Sequence, residues 1–424
     1  MSNKLIFRNI NVRMIHPNLV LTAFFLIIGL NQTLAQGINF LGGNFQSAAE
    51  AAKRANKILF VEVYLTGCPH CAALAPVLEE KKVGDFFNSQ FVSYKVEANS
   101  EDSKMLQQQK GITYVEFPLF FFFDPSSGQL IHQAAPTEQP SRSGAIEEVI
   151  KHGRDALDPT QRTSSYPSRF AKGDRDLGFL INYAKYTKAT KDTERLWILN
   201  KEIAKQVVRP SDIESQAGFY ILSRLINDID NPMAAYFFNN LSKFKAKYPA
   251  KEVKDAGETI LYYTMYGRRA NDLTIADITK CRKAFVQLGL TAPVASGRTI
   301  LKELEAYFRN KETAKAVARL NEYVATAPMS LAEYAYMTRL FNEKATGNSY
   351  VPSLLKWVND GVRVAKANEK TSKLMADLYL QQSVAYQRIG KKVEAKKAIK
   401  TAVEVAQAAK VDVKPYTDQL EKVK

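Results

Sequence analysis

The chain has 424 residues and only three cysteines. That excludes a disulfide-stapled scaffold, which needs many bridges in a short chain. Beyond the first thirty-five residues no apolar run reaches the roughly 20 residues of a spanning helix. There is no glycine-rich phosphate loop, no Ser/His/Asp nucleophile arrangement and no nucleic-acid-binding motif. Acid is also scarce: 43 Asp+Glu face 59 Lys+Arg, giving +16. A basic balance suggests an anionic partner, whether nucleic acid, acidic polymer or membrane surface. What is present is ordinary: 46% apolar and 24% charged residues. Such a composition fits a folded soluble protein and excludes wholesale disorder or a multi-span membrane protein. The length allows two or three domains, at roughly 100–200 residues each.

The charge is unevenly placed. Residues 1–35 carry three basic and no acidic side chains, and 36–155 carry 11 basic and 14 acidic ones. Residues 156–424 carry 45 and 29, so this part holds the entire mature excess. Such asymmetry marks a domain boundary and weakens the case for nucleic acid.

The first thirty-five residues have the three-part layout of a secretory signal peptide. Lys4, Arg8 and Arg13 precede the apolar run Leu19–Leu30, and Thr33-Leu34-Ala35 supplies small residues for a cut after Ala35. The alternative is an uncleaved anchor helix. The expected location is periplasmic or secreted, with no stable membrane span after cleavage.

From Asn44 to Asn56 an Ala-rich amphipathic stretch predicts a helix with Asn44 as cap. Ile58–Leu65 (ILFVEVYL) reads as a strand buried on both faces. A helical stretch through AALAPVLEEKKV follows, then a strand Phe91–Val96 and a polar helix Glu101–Lys110. Strands Leu119–Phe123 and Gln129–His132 flank an Asp-Pro/Ser-Gly turn, and a helix Ser143–Ala156 closes the segment. This alternation predicts a parallel core with an antiparallel hairpin edge.

Residues 157–172, with two prolines and a Ser/Thr cluster, read as a linker. Beyond it only helical periodicity remains, which predicts an α-helical domain over 173–424 with roughly eight to twelve helices. The unit Ala385-Tyr386, Gly390, Glu394-Ala395, Ala402 matches tetratricopeptide spacing across an inter-helix turn. The competing reading is an unrelated helical bundle.

Cys68-Pro69-His70-Cys71 carries the chemistry. Two cysteines separated by one helical turn after a buried strand form a redox pair by geometry. The first faces the unpaired amides and dipole of a helix start, which favour the attacking thiolate. His70, if protonated, adds to that, and Pro69 suits a turn that needs no amide donor. A zinc site needs two further ligands, and only Cys281, His16, His132 and His152 remain. A purely structural disulfide across so short a loop gains little. No metal and no cofactor are expected. Cys281 reads as a buried lone thiol.

Residues 40–155 resemble the thioredoxin superfamily, particularly its periplasmic and secreted members. The resemblance rests on the CxxC, on Glu62 six residues before Cys68, on Pro76 five after Cys71, and on Phe117-Pro118 before a strand. It implies that Cys68 is the nucleophile and Cys71 the resolving thiol. Glu62 would be a buried carboxylate with a raised pKa that shuttles a proton for Cys71; the alternative is an inert carboxylate reaching solvent at a strand end. Pro118 would be cis, presenting the backbone of Phe117 to an extended substrate. Gly67 stands where the family usually has Trp. Pro69-His70 resembles the oxidising Dsb-type dipeptide, while Glu62 looks reductase-like.

The expected protein is therefore an α/β thioredoxin-like domain (36–156) followed by an all-α, tetratricopeptide-like domain. Its expected activity is disulfide oxidoreduction on protein thiols and disulfides, with a redox partner protein and with clients recruited by the helices. The competing class is a non-enzymatic helical-repeat scaffold carrying a degenerate thioredoxin-like module.

Overall fold

The structure, a computed structural model, describes residues 37–423. The expected signal peptide lies outside these residues. The chain divides into two compact units, one running to Asp174 with Ala189–Lys191, the other formed by Arg175–Lys188 and Asp192 onward.

The first unit is built on a five-stranded mixed sheet. Its strands are β1 (Phe40–Leu41), β2 (Ile58–Tyr64), β3 (Phe91–Glu97), β4 (Leu119–Phe123) and β5 (Leu130–Ala134), in the order β1-β3-β2-β4-β5. Its helices are α1 (Phe45–Ala55), α2 (Pro69–Leu78), α3 (Lys81–Gln90), α4 (Glu101–Lys110), α5 (Arg142–Leu157) and α6 (Tyr166–Ala171). Asn44 caps α1, as the sequence predicts, and the structure completes a capping box with Ser47.

Strand β2 is central because its β-branched and aromatic side chains suit burial on both faces. Side chains alternate along it. Leu59, Val61 and Val63 enter one core with Phe45, Phe121 and Phe123. Phe60 enters the other with Leu74, Phe87, Phe120 and Phe122. Glu62 shares the parity of Phe60 and so belongs to the face that α2 covers.

The expected parallel core is corrected. β2 pairs in parallel with β3, but β4 runs antiparallel to β2. The reason lies in the connection. Helix α4 ends near the β4–β5 turn, where the Lys110 ammonium donates to the Gly128 carbonyl. Residues 112–118 then carry the chain back toward Cys68 before β4 begins. The helix expected through AALAPVLEEKKV breaks at Glu79–Glu80, and α3 continues to Gln90. The last strand lies slightly later than expected, at Leu130–Ala134.

The segment read as a linker is structured. It holds a 3₁₀ turn at Thr163–Ser165 and helix α6, with Thr163, Tyr166 and Phe170 buried. Thr163 clamps β5: its amide donates to Nδ1 of His132, and its hydroxyl accepts from the Gln133 amide. Prolines and hydroxyls marked the segment as a loop, but these tertiary hydrogen bonds fold it onto the sheet edge.

The second unit is all-α. Its fifteen helices among the described residues are α7 (Leu177–Ala189), α8 (Thr193–Gln206), α9 (Pro210–Ile213), α10 (Gln216–Arg224), α11 (Pro232–Asn239), α12 (Leu241–Lys247), α13 (Ala250–Tyr266), α14 (Ile275–Gln287), α15 (Ala292–Arg309), α16 (Thr313–Thr326), α17 (Leu331–Lys344), α18 (Val351–Val364), α19 (Lys373–Arg388), α20 (Lys392–Ala408) and α21 (Lys414–Lys422). The count exceeds expectation because breaks such as Asn240 split single stretches into two. Helices adjacent in sequence pack on one another, most extensively α19 on α20. At that turn Gly390 takes φ +74°, a left-handed conformation that suits glycine. Ala385, Ala395 and Ala402 are fully buried there, so the small residues allow close helix approach. Cys281 is fully buried on α14, and burial pushes its thiol up to about 12.

Candidate functional site

Cys68 occupies the N-cap of α2, with Pro69 in the first turn. The Cys71 amide donates to the Cys68 sulfur at 3.4 Å, so one helix-start amide already points at that atom. Both cysteines are free thiols, Cys68 partly exposed and Cys71 buried. Burial is the main cause that pushes the Cys71 thiol up to about 11, and the charge of Glu62 adds to it. The two sulfurs thus sit in different media: one reaches solvent, the other must lose its proton inside the protein. Pro69 and His70 are exposed beside the pair.

The Phe117–Pro118 peptide bond is cis. The Phe117 carbonyl lies 3.9 Å from the Cys68 sulfur. The Phe117 carbonyl and the Cys68 sulfur are therefore brought together by the starts of β4 and α2, which are far apart in sequence. A groove of about 310 Å³ borders them, lined by His70, Ala73, Pro118, Thr137, Gln139 and Arg142. The Glu148 carboxylate accepts from the Thr137 amide and hydroxyl and holds one wall. Sequence reasoning did not place residues 137–142 here, because only the return of the chain after β5 does so.

Glu62 is 1% exposed, which removes the alternative of a carboxylate reaching solvent. Burial raises its pKa above the ordinary carboxylate range, and Lys95 opposes that shift. Parallel pairing puts Lys95 directly across from Glu62. Its ammonium lies 3.2 Å from Oε2, inside ion-pair distance but off the hydrogen-bonding angle, and that oxygen has no other partner. The same ammonium sits 4.7 Å from the centre of the Tyr64 ring. Sequence reasoning missed Lys95. The available signal was a lone lysine in an otherwise sheet-forming run, whose meaning depends on strand register.

Glu97, at the end of β3, was also missed. Its carboxylate accepts from the Thr66 and Asn99 amides, at 3.2 and 2.7 Å, and holds the turn that leads into Cys68. Those amides lower its pKa. Within that turn Gly67 takes φ +79°, which penalises any side chain. The glycine at a position where the resembled family favours Trp thus has a backbone reason.

Among the described residues, His132, His152 and Asp155 bring ligand atoms within 4.8 Å of one another. His132 is buried, and burial drives its pKa down to about 3. Its Nδ1 accepts from the Thr163 amide, which places the remaining ring proton on Nε2. That nitrogen then has no lone pair for a metal.

Residues 41–125 match the family model described as thioredoxin-like. A solution structure of a candidate disulphide-isomerase from Bacteroides thetaiotaomicron is similar at 25% identity, covering 30% of this chain and 98% of that one, with a TM-score of 0.25. No curated protein matches the chain. The first unit is thioredoxin-like, and the second is an all-α domain.

Proposed function

We propose that the protein is a periplasmic or secreted thiol-disulfide oxidoreductase whose helical unit recruits a client or partner. The observation that carries this reading is the Cys68 sulfur at a helix start, receiving an amide and lying against the Phe117 carbonyl, with a second thiol one turn away.

The Cys68 thiolate attacks one sulfur of a client disulfide. A Cys68–client bond forms, the client S–S bond breaks, and the departing client sulfur takes a proton. Cys71 must then deprotonate although burial opposes it. The Glu62 carboxylate accepts that proton, which suits a group whose pKa burial has raised. The Cys71 thiolate attacks Cys68, the intramolecular disulfide forms and the second client sulfur leaves as a thiol. Two electrons have passed to the client. The same steps reversed oxidise a client dithiol.

A redox titration of the pair fixes the direction: a potential near about −120 mV marks an oxidant and one near about −270 mV a reductant. Cys71→Ser is expected to trap a mixed disulfide on Cys68. The reading fails if that variant captures no partner and the wild-type protein neither reduces nor oxidises a test disulfide. The scaffold alternative would then stand.

A further inference from the structure

The second unit carries a surface that the thiol chemistry does not use. Helix α13 exposes Tyr262, Tyr263 and Tyr266, at 57%, 38% and 44%. Their rings form one cluster, with Tyr262 and Tyr266 centred 5.3 Å apart and Tyr262 and Tyr263 5.5 Å apart. Three large aromatic side chains exposed together within five residues are unusual for a surface with no role. They line a cavity of about 690 Å³ that α14 and α15 help to close. That volume falls in the roughly 300–1,000 Å³ range of ligand sites.

The charges in the cavity are not balanced. Asp255 and Glu258 line it, but each is engaged by a lysine of its own helix: Lys251 lies 2.6 Å from Asp255, and Lys254 lies 3.9 Å from Glu258. Arg298, on the opposite wall, is exposed and has no ion-pair partner among the described residues. The surrounding chain, 156–424, is itself strongly basic. Tyrosine and arginine are the residue types that carry most binding energy at protein interfaces. Tyrosine offers broad contact at low entropic cost, and arginine grips a carboxylate through a planar fork.

We infer that this tyrosine-lined cavity docks an extended polypeptide segment that places an aromatic or aliphatic side chain on Tyr262 and Tyr266 and a carboxylate on Arg298. The inference rests on the reading that the helical unit recruits a protein partner, and it names the surface and the chemistry of the segment.

Fluorescence anisotropy tests it on the full chain. The probes are short fluorescein-labelled peptides with Phe or Tyr flanked by Asp and Glu, and the same peptides with Lys in place of the acids. The acidic set is expected to bind, and the lysine set at least about tenfold more weakly. Tyr262→Ala and Arg298→Glu are each expected to weaken the acidic set at least about tenfold. Neither variant is expected to alter the reaction of Cys68 with a small aromatic disulfide. Equal binding of both sets, unchanged binding by both variants, or binding of neutral oligosaccharides in place of peptides overturns the inference. If peptides bind as expected while the wild-type thiols are inert, the oxidoreductase reading falls and the docking site stands.

Discussion

Glu62 in the sheet unit and Glu303 in the helical unit are almost equally buried, at 1% and 2% exposed, yet their surroundings differ. Glu303 is saturated. It pairs with the nearly buried Arg319 and with Arg282 at 3.0 Å, and accepts from the Thr299 hydroxyl. Arg319 in turn donates to the Ser296 hydroxyl. One carboxylate thereby ties α14, α15 and α16 together. Glu62 has one half-buried lysine, off angle, and an oxygen with no hydrogen bond. A saturated buried charge acts as a staple, while an unsaturated one is left able to take up a proton. The helical unit uses its buried acid for cohesion, and the sheet unit keeps its own beside the thiols.

Four measurements put that contrast to the test. The largest expected effect is at Glu303. Glu303→Ala removes the buried countercharge of Arg319, leaving only the exposed Glu322 at 3.7 Å, and should cost about 3–5 kcal/mol. Urea unfolding of the full chain followed by circular dichroism measures it, and the reactivity of Cys68 in the folded protein should not change. A loss below about 1 kcal/mol would remove the staple from the comparison.

Glu62→Gln comes next. Resolution of the mixed disulfide should slow by about 10²-fold, a typical general acid–base contribution, as read by stopped-flow single turnover. Stability should move the other way. The folded-state pKa of Glu62 lies above its unfolded value, so the wild type loses stability as pH rises from about 4.3 through the folded pKa. The variant should therefore be the more stable protein at neutral pH, with an advantage that vanishes as pH falls toward about 4. A stability difference independent of pH would show that Glu62 is not the titrating group.

Gly67 and Gly390 offer a matched pair. Both hold positive φ, and an added Cβ would meet nothing within 4 Å at either. Alanine at each should cost about 1–2 kcal/mol through the backbone alone. Only Gly67→Ala should also shift the reduction potential of the cysteine pair, because Gly67 sets the turn into Cys68. Equal potentials in both variants would separate the turn from the chemistry.

The smallest effect is expected for Lys95→Met. Removing the ammonium takes away what holds the Glu62 carboxyl down, so the pH at which resolution becomes fast should move upward. An unchanged profile would mean that burial alone sets Glu62.

Much of this was legible in the sequence, and for local reasons. The run ILFVEVY could be read as a doubly buried strand from residue types alone, and its one charge stood out. CPHC after that strand placed one sulfur at a helix start, because one helical turn separates the two cysteines. Asn44 as a cap and Gly390 as an inter-helix turn needed only their immediate neighbours. The missed features share another property. Lys95 matters through strand register, Glu97 through a carboxylate reaching across to Thr66, and Thr163 through amide and hydroxyl bonds to β5. Each partner lies some thirty residues away, beyond any local pattern.

The division between acidic and basic parts, the helical periodicity after residue 172 and the spacing of Cys68 and Cys71 are properties of the chain itself, because charge and periodicity are additive along it. The direction of β4, the Lys95 ammonium set across from Glu62, the approach of the Phe117 carbonyl to the Cys68 sulfur and the unpaired Arg298 among tyrosines come only with the tertiary structure. Contacts between distant segments decide which charges lose their water and which are left without a partner, and no local pattern in the chain can specify either.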